Sequence, residues 1–415
     1  MIPRPSIYIG TRAVEPLTAY LNQHQLKRIS LVADSNTYRV LGKQVEASLR
    51  AQGYDVNLIY LEGSEIIVDE LQVVDVMLRN DSRERAFLAV GSGTITDITR
   101  FVTLQTGGAF LSMPTAPSVD GYTSPVTPMV VRQLKITAPG HLPQAIFADM
   151  DVLCAAPQRM IAAGAGDVIA KWTSTADWKL SRLLWGDRYD EEIALRFNAA
   201  RQKVADAAPQ IGQASPAGIQ ALMEGLIESG LCMADFGASF PASGSEHLFS
   251  HFWESRLLYE HRPALLHGAK VGVGTVLAAK FWQQIRAISK EQTARRLAEH
   301  PLPSRSTEEE RIRQGWPMAV EPVLEAQARF LSMTHADDAA LKNSIVAHWD
   351  EIQAIAAEVP APDHIVAVLR QVHGPTSAQE ATLQQRDLDD ALEYAHYLRD
   401  RLPVLRLRRM LGLTI

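Results

Sequence analysis

The sequence predicts an α/β domain over residues 1–150 followed by an all-α domain over residues 151–415. Short β-branched runs alternate with helical patterns in the first part, which is typical of parallel βαβ units. From Pro157 onward, apolar residues recur at helical spacing with almost no strand pattern. A chain of 415 residues is also long enough for two or three domains with a large core.

The composition is that of an ordinary globular protein. Hydrophobic residues make up 47% and the net charge is -6, so the basic excess that nucleic acid would require is absent. Two cysteines, Cys154 and Cys232, are too few for a disulfide framework or a thiolate metal cage, which favours a reducing cytoplasm. The N-terminal sequence has no secretion signal, and no run of about eighteen apolar residues occurs. We expect a cytoplasmic protein without membrane insertion or nucleic-acid partner.

The α/β part can be divided into elements along the chain. The predicted strands are residues 28–34, 56–61, 86–90, 110–113 and 145–148, and the predicted helices are 37–51 and 67–78. Residues 114–128, PTAPSVDGYTSPVTP, are too rich in Pro, Ser and Thr for regular structure and predict an ordered functional loop. Residues 126–137 predict an added hairpin.

Three features stand out in the helical part. Residues 304–314 form a charged stretch that we expect on the surface, and Pro360 and Pro362 predict a turn between helices. The basic, leucine-rich tail over residues 401–415 predicts a terminal helix that docks on the protein, in preference to a membrane-surface helix.

A glycine-rich turn, Gly91 to Asp97 (GSGTITD), follows the predicted third strand and opens a helix. Glycines there let backbone N–H groups approach a pyrophosphate at the positive helix end. The third glycine of G-x-G-x-x-G is absent, so the turn alone is equally consistent with a simple strand cap. Asp34, at the end of the first predicted strand, could accept hydrogen bonds from a ribose diol or cap the next helix.

Candidate metal ligands come from separate segments of the helical part. In GAGDVIAK, Asp167 is predicted at the start of a helix, where an aspartate is usually a cap. His247 and His251 stand four residues apart, on one face of a helix, and His267 follows in a later segment. Each could be structural. Together, Asp167, His247 and His267 would make a three-ligand site for a divalent metal with open positions for a substrate oxygen.

Five motifs occur in an order and spacing known from one superfamily: GSGTITD, PTAPSVDGYTS, GAGDVIAK, SEHLFSH and LHGAKVGVG. Over roughly residues 5–290, the chain resembles the family that joins iron-type alcohol dehydrogenases, glycerol dehydrogenase and dehydroquinate synthase. Its motifs are most similar to those of the sn-glycerol-1-phosphate dehydrogenases. The resemblance implies an N-terminal Rossmann-like dinucleotide-binding domain and an all-α, metal-binding C-terminal domain of the dehydroquinate synthase type. Residues after about 290 carry no matching motif.

The resemblance also implies roles for single residues. Asp167, His247 and His267 would hold the metal, and His251 would assist proton transfer. The implied cofactor-binding residues are Asp34, Gly91, Ser92, Gly93, Asp97, Thr115, Ser118 and Ser124. The implied further catalytic residues are Asp120, which faces the substrate, and Lys171, a partner for the substrate phosphate.

The implied reaction is hydride transfer between NAD(P)H and dihydroxyacetone phosphate to give sn-glycerol 1-phosphate, with a metal as Lewis acid. One alternative is a glycerol or polyol dehydrogenase acting on an unphosphorylated substrate. Another is a dehydroquinate synthase-like cyclase or lyase, which HGAKV in place of HGEAV and SEHLFSH in place of an NFGH-type segment disfavour. A non-enzymatic nucleotide sensor would be favoured by a broken metal triad, and the triad is intact.

Cofactor and metal identity are open at this level. Asp34 would repel a 2′-phosphate and favour NAD, but Arg39 is close in sequence and NADP stays an alternative. Two imidazoles and a carboxylate accept zinc, iron or nickel, of which we expect zinc. We expect a phosphorylated triose as the small-molecule substrate and a homo-oligomer, dimer or larger.

Overall fold

The computed structural model describes residues 3–63, 66–81, 84–132 and 134–415. The chain forms two compact units. The first runs up to Val168 and also includes Gln202–Ser239 and Gln371–His373. The second comprises Ile169–Arg201, Phe240–Arg370 and Gly374–Ile415.

A six-stranded parallel sheet and an antiparallel hairpin form the β-structure of the first unit. The strands are β1 (Ser6–Gly10), β2 (Arg28–Asp34), β3 (Asp55–Leu61), β4 (Ala86–Gly91), β5 (Phe110–Pro114), β6 (Val126–Val131), β7 (Leu134–Pro139) and β8 (Ala145–Asp149). The sheet order is β1-β8-β5-β4-β2-β3, and β6 pairs with β7. The predicted hairpin is therefore present, although its residue Gln133 lies outside the described residues.

All five predicted strands of the sheet are present, and β1 is an addition that the sequence analysis missed. It pairs with β8 from Ser6 opposite Ala145 to Gly10 opposite Asp149. None of its residues is fully buried, because it lies at the sheet edge. Its apolar run, Ile7 to Ile9, is shorter than those by which the central strands are recognised.

Helices cover both faces of this sheet. The helices up to the unit boundary are α1 (Val14–Gln23), α2 (Ser35–Thr37), α3 (Lys43–Ala51), α4 (Glu70–Arg79), α5 (Gly93–Thr106), α6 (Met150–Cys154) and α7 (Gln158–Ile169). A π-helical segment, Tyr38–Gly42, joins α2 to α3. Strand β2 shows the layering: Leu31 packs in one buried cluster and the next residue, Val32, packs in the other.

The remaining chain is helical throughout its described residues. Its helices are α8 (Lys171–Trp185), α9 (Glu191–Asp206), α10 (Ala208–Gly212), α11 (Pro216–Phe236), α12 (Ser245–Tyr259), α13 (His267–Ala287), α14 (Lys290–Glu299), α15 (Arg305–Gly315), α16 (Val320–Ala326), α17 (Ala328–Leu331), α18 (His335–Ala347), α19 (Trp349–Glu358), α20 (Pro362–Gln371), α21 (Gln385–Tyr394) and α22 (Val404–Met410). Of these, α10 and α11 belong to the first unit. The parallel sheet and the helical remainder confirm the predicted fold class.

One detail of the helical part differs from expectation. Asp167 lies in the last turn of α7, so the prediction that it begins a helix is wrong. Gly164 lies inside this helix, and a Cβ there would lie 1.9 Å from the carbonyl oxygen of Pro117, so the glycine is required for close packing. The charged stretch at residues 304–314 falls within helix α15 apart from Ser304, and most of it is exposed, as expected.

The C-terminal tail docks as expected. Val404, Leu405 and Leu407 of α22 are fully buried. Among the described residues, one stretch, Trp349–Gln371, has the length and apolar composition of a membrane span, with a mean hydropathy of 1.2. The stretch is divided between α19 and α20 around the predicted proline turn, so it is weak support for a span.

Candidate active site

The glycine-rich turn joins β4 to α5 as predicted. Gly91 ends the strand, Ser92 is the N-cap residue and Gly93 begins the helix. A Cβ at Gly91 would lie 2.5 Å from Cβ of Ile95, and one at Gly93 would lie 2.9 Å from Cγ2 of Val119. Both glycines are therefore required by packing. The side chain of Ser92 does not cap the helix, which leaves the first-turn N–H groups suited to an anionic ligand.

Asp34 ends β2, the strand beside β4, so Asp34 and Gly91 both lie at carboxyl ends of neighbouring strands. This edge of an open α/β sheet is where ligands commonly bind. The Asp34 side chain caps α2: Oδ1 accepts hydrogen bonds from the N–H of Asn36 at 2.8 Å and of Thr37 at 2.9 Å. Capping occupies one carboxylate oxygen, and contact with a ribose stays a prediction.

A buried arginine that the sequence analysis missed organises the loop after β5. Arg100 of α5 forms an ion pair with Asp97. Its guanidinium also donates to the carbonyl oxygens of Gly121 and Tyr122, and Nε donates to that of His141 at 3.2 Å. One cation therefore holds three stretches of backbone together. The sequence feature that could have indicated this ion pair is the position of Arg100, three residues after Asp97 on the same helix.

Burial dominates the electrostatics of this ion pair. It raises the pKa of Asp97 to about 6, although the charge of Arg100 acts in the opposite direction. Burial also lowers the pKa of Arg100, an effect that Asp97 partly offsets. Asp97 was predicted to bind cofactor; its side chain is engaged by Arg100, so any cofactor contact must share it.

The predicted loop residues are buried. Thr115, Ser118, Asp120 and Ser124 are each less than a tenth exposed. Oγ of Ser124 accepts a hydrogen bond from the N–H of Val126 at 3.2 Å. The loop is thus ordered, as the sequence predicts, and it presents hydroxyl groups and one carboxylate.

Asp120 and Asp167 are linked within the first unit. The backbone N–H of Asp120 donates to Oδ2 of Asp167 at 3.0 Å. The Asp120 carboxylate accepts from the hydroxyl of Ser229, on α11, at 2.7 Å. Asp167 is fully buried. A buried carboxylate held by a backbone amide is well placed to serve as a fixed ligand.

Three histidines of the second unit form a triangle. The ring centroids of His247 and His267 are 5.3 Å apart, and those of His251 lie 6.0 Å from His247 and 5.7 Å from His267. His247 and His251 share one face of α12, as their spacing predicts, and His267 is the first residue of α13. By contrast, His261 is exposed in a turn with a φ of 53°.

A buried glutamate orients His247. Oε1 of Glu246 lies 2.8 Å from Nδ1 of His247, so Nε2 is the ring nitrogen available to a metal. The second oxygen, Oε2, accepts from the hydroxyl of Thr173, on α8, at 2.6 Å. Burial acts to raise the pKa of Glu246, but the hydrogen bonds from His247 and Thr173 hold it below its ordinary value. The sequence analysis gave Glu246 no role, although it directly precedes His247.

Asp167, His247 and His267 supply a suitable donor set for a metal. Asp167 offers a fixed carboxylate in the first unit, and His247 and His267 offer adjacent imidazoles in the second. Two neutral imidazoles and one carboxylate are the nitrogen and oxygen ligands that zinc, iron and nickel accept. The residues present therefore fit a single divalent ion.

Two lysines of the second unit are also buried. Lys171, the first residue of α8, donates from Nζ to the carbonyl oxygen of Ala242 at 3.3 Å. Lys270 lies one turn after His267, and its Nζ is 3.7 Å from a carboxylate oxygen of Glu254. Buried ammonium groups are costly unless charges or hydrogen bonds compensate them. Lys270 is connected to the histidines through Glu254, whose Oε2 also lies 3.6 Å from Nδ1 of His251.

The fold and these side chains define a class, the NAD(P)-dependent dehydrogenases related to iron-containing alcohol dehydrogenases. The sequence model of the iron-containing alcohol dehydrogenase family matches residues 8–157. The crystal structure of maleylacetate reductase from Agrobacterium tumefaciens superposes with a TM-score of 0.60 at 15% identity, covering 99% of this chain and 96% of that one. At this identity the likeness concerns the fold alone.

Curated relatives narrow the class. Glycerol-1-phosphate dehydrogenase (NAD(P)+) of Geobacillus thermodenitrificans is 33% identical over 95% of this chain and 89% of the relative. The enzyme of the same name from Bacillus subtilis is 33% identical over 97% and 90% of the two chains. The chain belongs to the glycerol-1-phosphate dehydrogenase family.

Proposed function

We propose that this enzyme transfers a hydride between NAD(P)H and dihydroxyacetone phosphate, giving sn-glycerol 1-phosphate. The observation that carries the proposal is the 33% identity to curated glycerol-1-phosphate dehydrogenases over nearly the whole of both chains. The intact motifs for nucleotide and metal support the same reaction class.

In this proposal, the two predicted domains have different roles, and residues 1–150 bind the dinucleotide. The pyrophosphate lies against the turn of Gly91, Ser92 and Gly93, where backbone N–H groups and the helix dipole favour an anion. Asp34 contacts the adenosine ribose. The proposed contacts to the nicotinamide half are Asp97, Thr115, Ser118 and Ser124. Their burial supports this assignment, because hydride transfer is protected when water is excluded.

Residues 151–415 hold metal and substrate in this proposal. Asp167, His247 and His267 bind one divalent ion, with zinc favoured over iron and nickel. The ion supplies a Lewis acid for the substrate oxygen. Glu246 fixes the ring of His247, and the N–H of Asp120 fixes the carboxylate of Asp167.

His251 is the proposed proton relay. Its imidazole lies within 6.0 Å, centroid to centroid, of both metal-binding rings, and its side chain keeps 18% exposure. It can therefore exchange a proton with solvent while standing beside the substrate oxygen. Asp120 orients the substrate, and the ammonium group of Lys171 pairs with its phosphate.

A turnover assay tests the function. Purified protein loaded with zinc, iron or nickel is mixed with NADH or NADPH and dihydroxyacetone phosphate, and cofactor absorbance is followed. We expect consumption, and a product that an sn-glycerol-3-phosphate-specific dehydrogenase does not oxidise. Consumption with unphosphorylated dihydroxyacetone alone would move the substrate class to free polyols. A strong preference for NADPH would contradict the ribose contact of Asp34.

The metal site has its own test in His267→Ala. The variant should lose bound metal and turnover. Its thermal unfolding should stay cooperative, because His267 is only the first residue of α13 and most later residues of that helix are buried. Metal content measured by mass spectrometry decides. Full turnover of a metal-free His267→Ala protein would refute the site.

The localisation, oligomeric state and partners of the enzyme are also part of the proposal. The small-molecule substrate agrees with the family, and we propose a cytoplasmic homo-oligomer without nucleic-acid or membrane partners. Sedimentation of the purified protein tests the oligomeric state. A monomer at working concentrations would contradict it.

A further inference from the structure

The start of helix α12, two residues before His247, is tied to the end of the chain. We call residues Arg401–Met410 the C-terminal segment. Its residues lie far beyond the last sequence motif, yet three buried side chains of α22 pack in the second unit. The segment contacts the start of α12 through hydrogen bonds.

One carboxylate joins three elements at this place. Asp177 of α8 is buried, and its Oδ2 accepts a hydrogen bond from the N–H of Ser245 at 2.6 Å. Its other oxygen, Oδ1, accepts from the N–H of Val404 at 2.8 Å. Both amides belong to first turns of helices, which lack partners inside their own helix. Asp177 therefore caps α12 and α22 together.

The C-terminal segment also contacts α12 directly. The hydroxyl oxygen of Ser245 accepts a hydrogen bond from the N–H of Leu405 at 3.1 Å. Just before the helix, the carbonyl oxygen of Ser243 accepts from Nη1 of Arg401 at 2.7 Å. The Arg401 guanidinium lies 3.9 Å from the ring centroid of Phe240. The residues leading into α12 are thus held on both sides.

The fit leaves no room at the helix start. Gly244 is the N-cap residue of α12, and it has no side chain with which to cap the helix. A Cβ there would lie 2.7 Å from Oδ2 of Asp177 and 2.9 Å from Cα of Ser174. A capping side chain at residue 244 is excluded by packing, so α8 and the C-terminal segment provide the acceptors instead.

We propose that the C-terminal segment is a positioning element for His247, acting through Asp177 and Ser245. A metal ligand has to be held within about 0.5 Å of its working geometry. The first turn of a helix frays unless its N–H groups are bonded, and His247 lies in that turn. Asp177, which also accepts from Val404, holds the N–H of Ser245, and Leu405 of the segment holds its hydroxyl, so together they set the place of the imidazole. The inference rests on the proposed metal site.

Two serines provide a matched test. Ser245→Ala removes the acceptor for Leu405 N–H, on the metal-binding helix. Ser181→Ala removes the acceptor for Leu402 N–H, also at 3.1 Å and also buried, but on α8. Both variants lose one hydrogen bond to the C-terminal segment, and Ser181→Ala also loses the hydrogen bond that its hydroxyl donates to Oδ2 of Asp187 at 2.5 Å. Only Ser245→Ala loses it at the helix that carries His247.

Zinc affinity of the full-length variants is measured by chelator competition, and amide hydrogen exchange is measured on the metal-free proteins. We expect Ser245→Ala to bind zinc about 10-fold more weakly, in the range typical of positioning groups. It should also exchange faster over residues 244–250. Ser181→Ala should match the wild type in both measurements.

Two results would overturn the inference. Unchanged affinity in both variants would show that the segment does not position His247. An equal loss in both would indicate general destabilisation. If the wild type binds no zinc, iron or nickel, the proposed metal site fails. Exchange over residues 244–250 then decides by itself whether the segment holds the helix start.

Discussion

Two buried polar networks, one in each unit, are organised around central groups of opposite charge. In the first unit, the cation Arg100 donates to Asp97 and to the carbonyl oxygens of Gly121, Tyr122 and His141. In the second unit, carboxylates accept from the donors that surround the start of α12. The Glu246 carboxylate accepts hydrogen bonds from Gly244 N–H, His247 Nδ1 and the Thr173 hydroxyl.

The two networks differ in the group at their centre. Arg100 is compensated by Asp97 and by carbonyl oxygens, so its network stabilises the backbone of the loop after β5. Glu246 lies beside His247, a proposed metal ligand, so its charge also favours a cation there. Substitutions that remove one charge at a time separate these two roles.

The largest expected effect comes from Arg100→Met. The Arg100 side chain is fully buried and that of Asp97 is 15% exposed, so breaking this largely buried ion pair should cost about 3–5 kcal/mol of unfolding free energy. Arg85→Met is the matched control: the Arg85 side chain is 1% exposed, but its partners Asp55 and Asp81 keep 44% and 35% exposure. Water can solvate those carboxylates once Arg85 is removed, so Arg85→Met should lose less unfolding free energy than Arg100→Met. Urea unfolding that ranks Arg85→Met as the more destabilised variant would contradict the proposed importance of burial.

Glu246→Gln should act mainly on the metal. It keeps the shape of the side chain but removes the charge beside His247 Nδ1, which weakens the ligand and its orientation. We expect metal affinity to fall about 10- to 100-fold. Thr275→Val is the control, because the buried Thr275 hydroxyl donates to the carbonyl oxygen of Val271 one turn earlier in α13. Isothermal titration with zinc measures both; equal affinities for the two variants would show that Glu246 does not orient the ligand.

Gly91→Ala should act on the cofactor. The new Cβ would lie 2.5 Å from Cβ of Ile95, so the first turn of α5 has to shift. A displacement of this kind should weaken NADH binding about 10-fold. Gly121→Ala is milder, because its Cβ would meet Cγ2 of Val119 at an ordinary 3.6 Å. Fluorescence titration with NADH compares them, and unchanged binding by Gly91→Ala would argue against the turn as a pyrophosphate site.

The last prediction concerns the pH dependence of stability, where the change within any one pH unit is small. Burial raises the pKa of Asp177 to about 7, above its ordinary value of 3.8, with the charge of Glu246 adding to the shift. The folded protein therefore binds this proton more tightly than the unfolded chain. The resulting stability is present below about pH 4 and is lost as the pH rises through about 7.

Relative to Asp177→Asn, the wild type should lose at most about 1.4 kcal/mol of unfolding free energy per pH unit within that window. Thermal unfolding of both proteins from about pH 5 to about pH 8 checks the sign. Parallel curves would show that Asp177 does not titrate in the folded state.

Features with a local cause were predictable. Strands β2, β4 and β5 each contain their own apolar run, and the Gly91 turn lies within one contiguous motif. Features that depend on a neighbour were missed or misplaced. Asp167 is predicted at a helix start, where an aspartate is usually a cap, but it lies in the last turn of α7, and Gly164 of that helix makes room for the Pro117 carbonyl. That requirement is invisible without the neighbouring chain.

The sequence by itself determined the fold class and the family and predicted three metal ligands, because all of these follow from local patterns and ordered motifs. Only the tertiary structure decided what holds those ligands in place. Arg100, Glu246 and Asp177 act on partners brought close by folding, some more than two hundred residues away, as with Asp177 and Val404. What a buried charged side chain does depends on the groups that compensate its charge, and residue spacing along the chain does not reveal which groups those are.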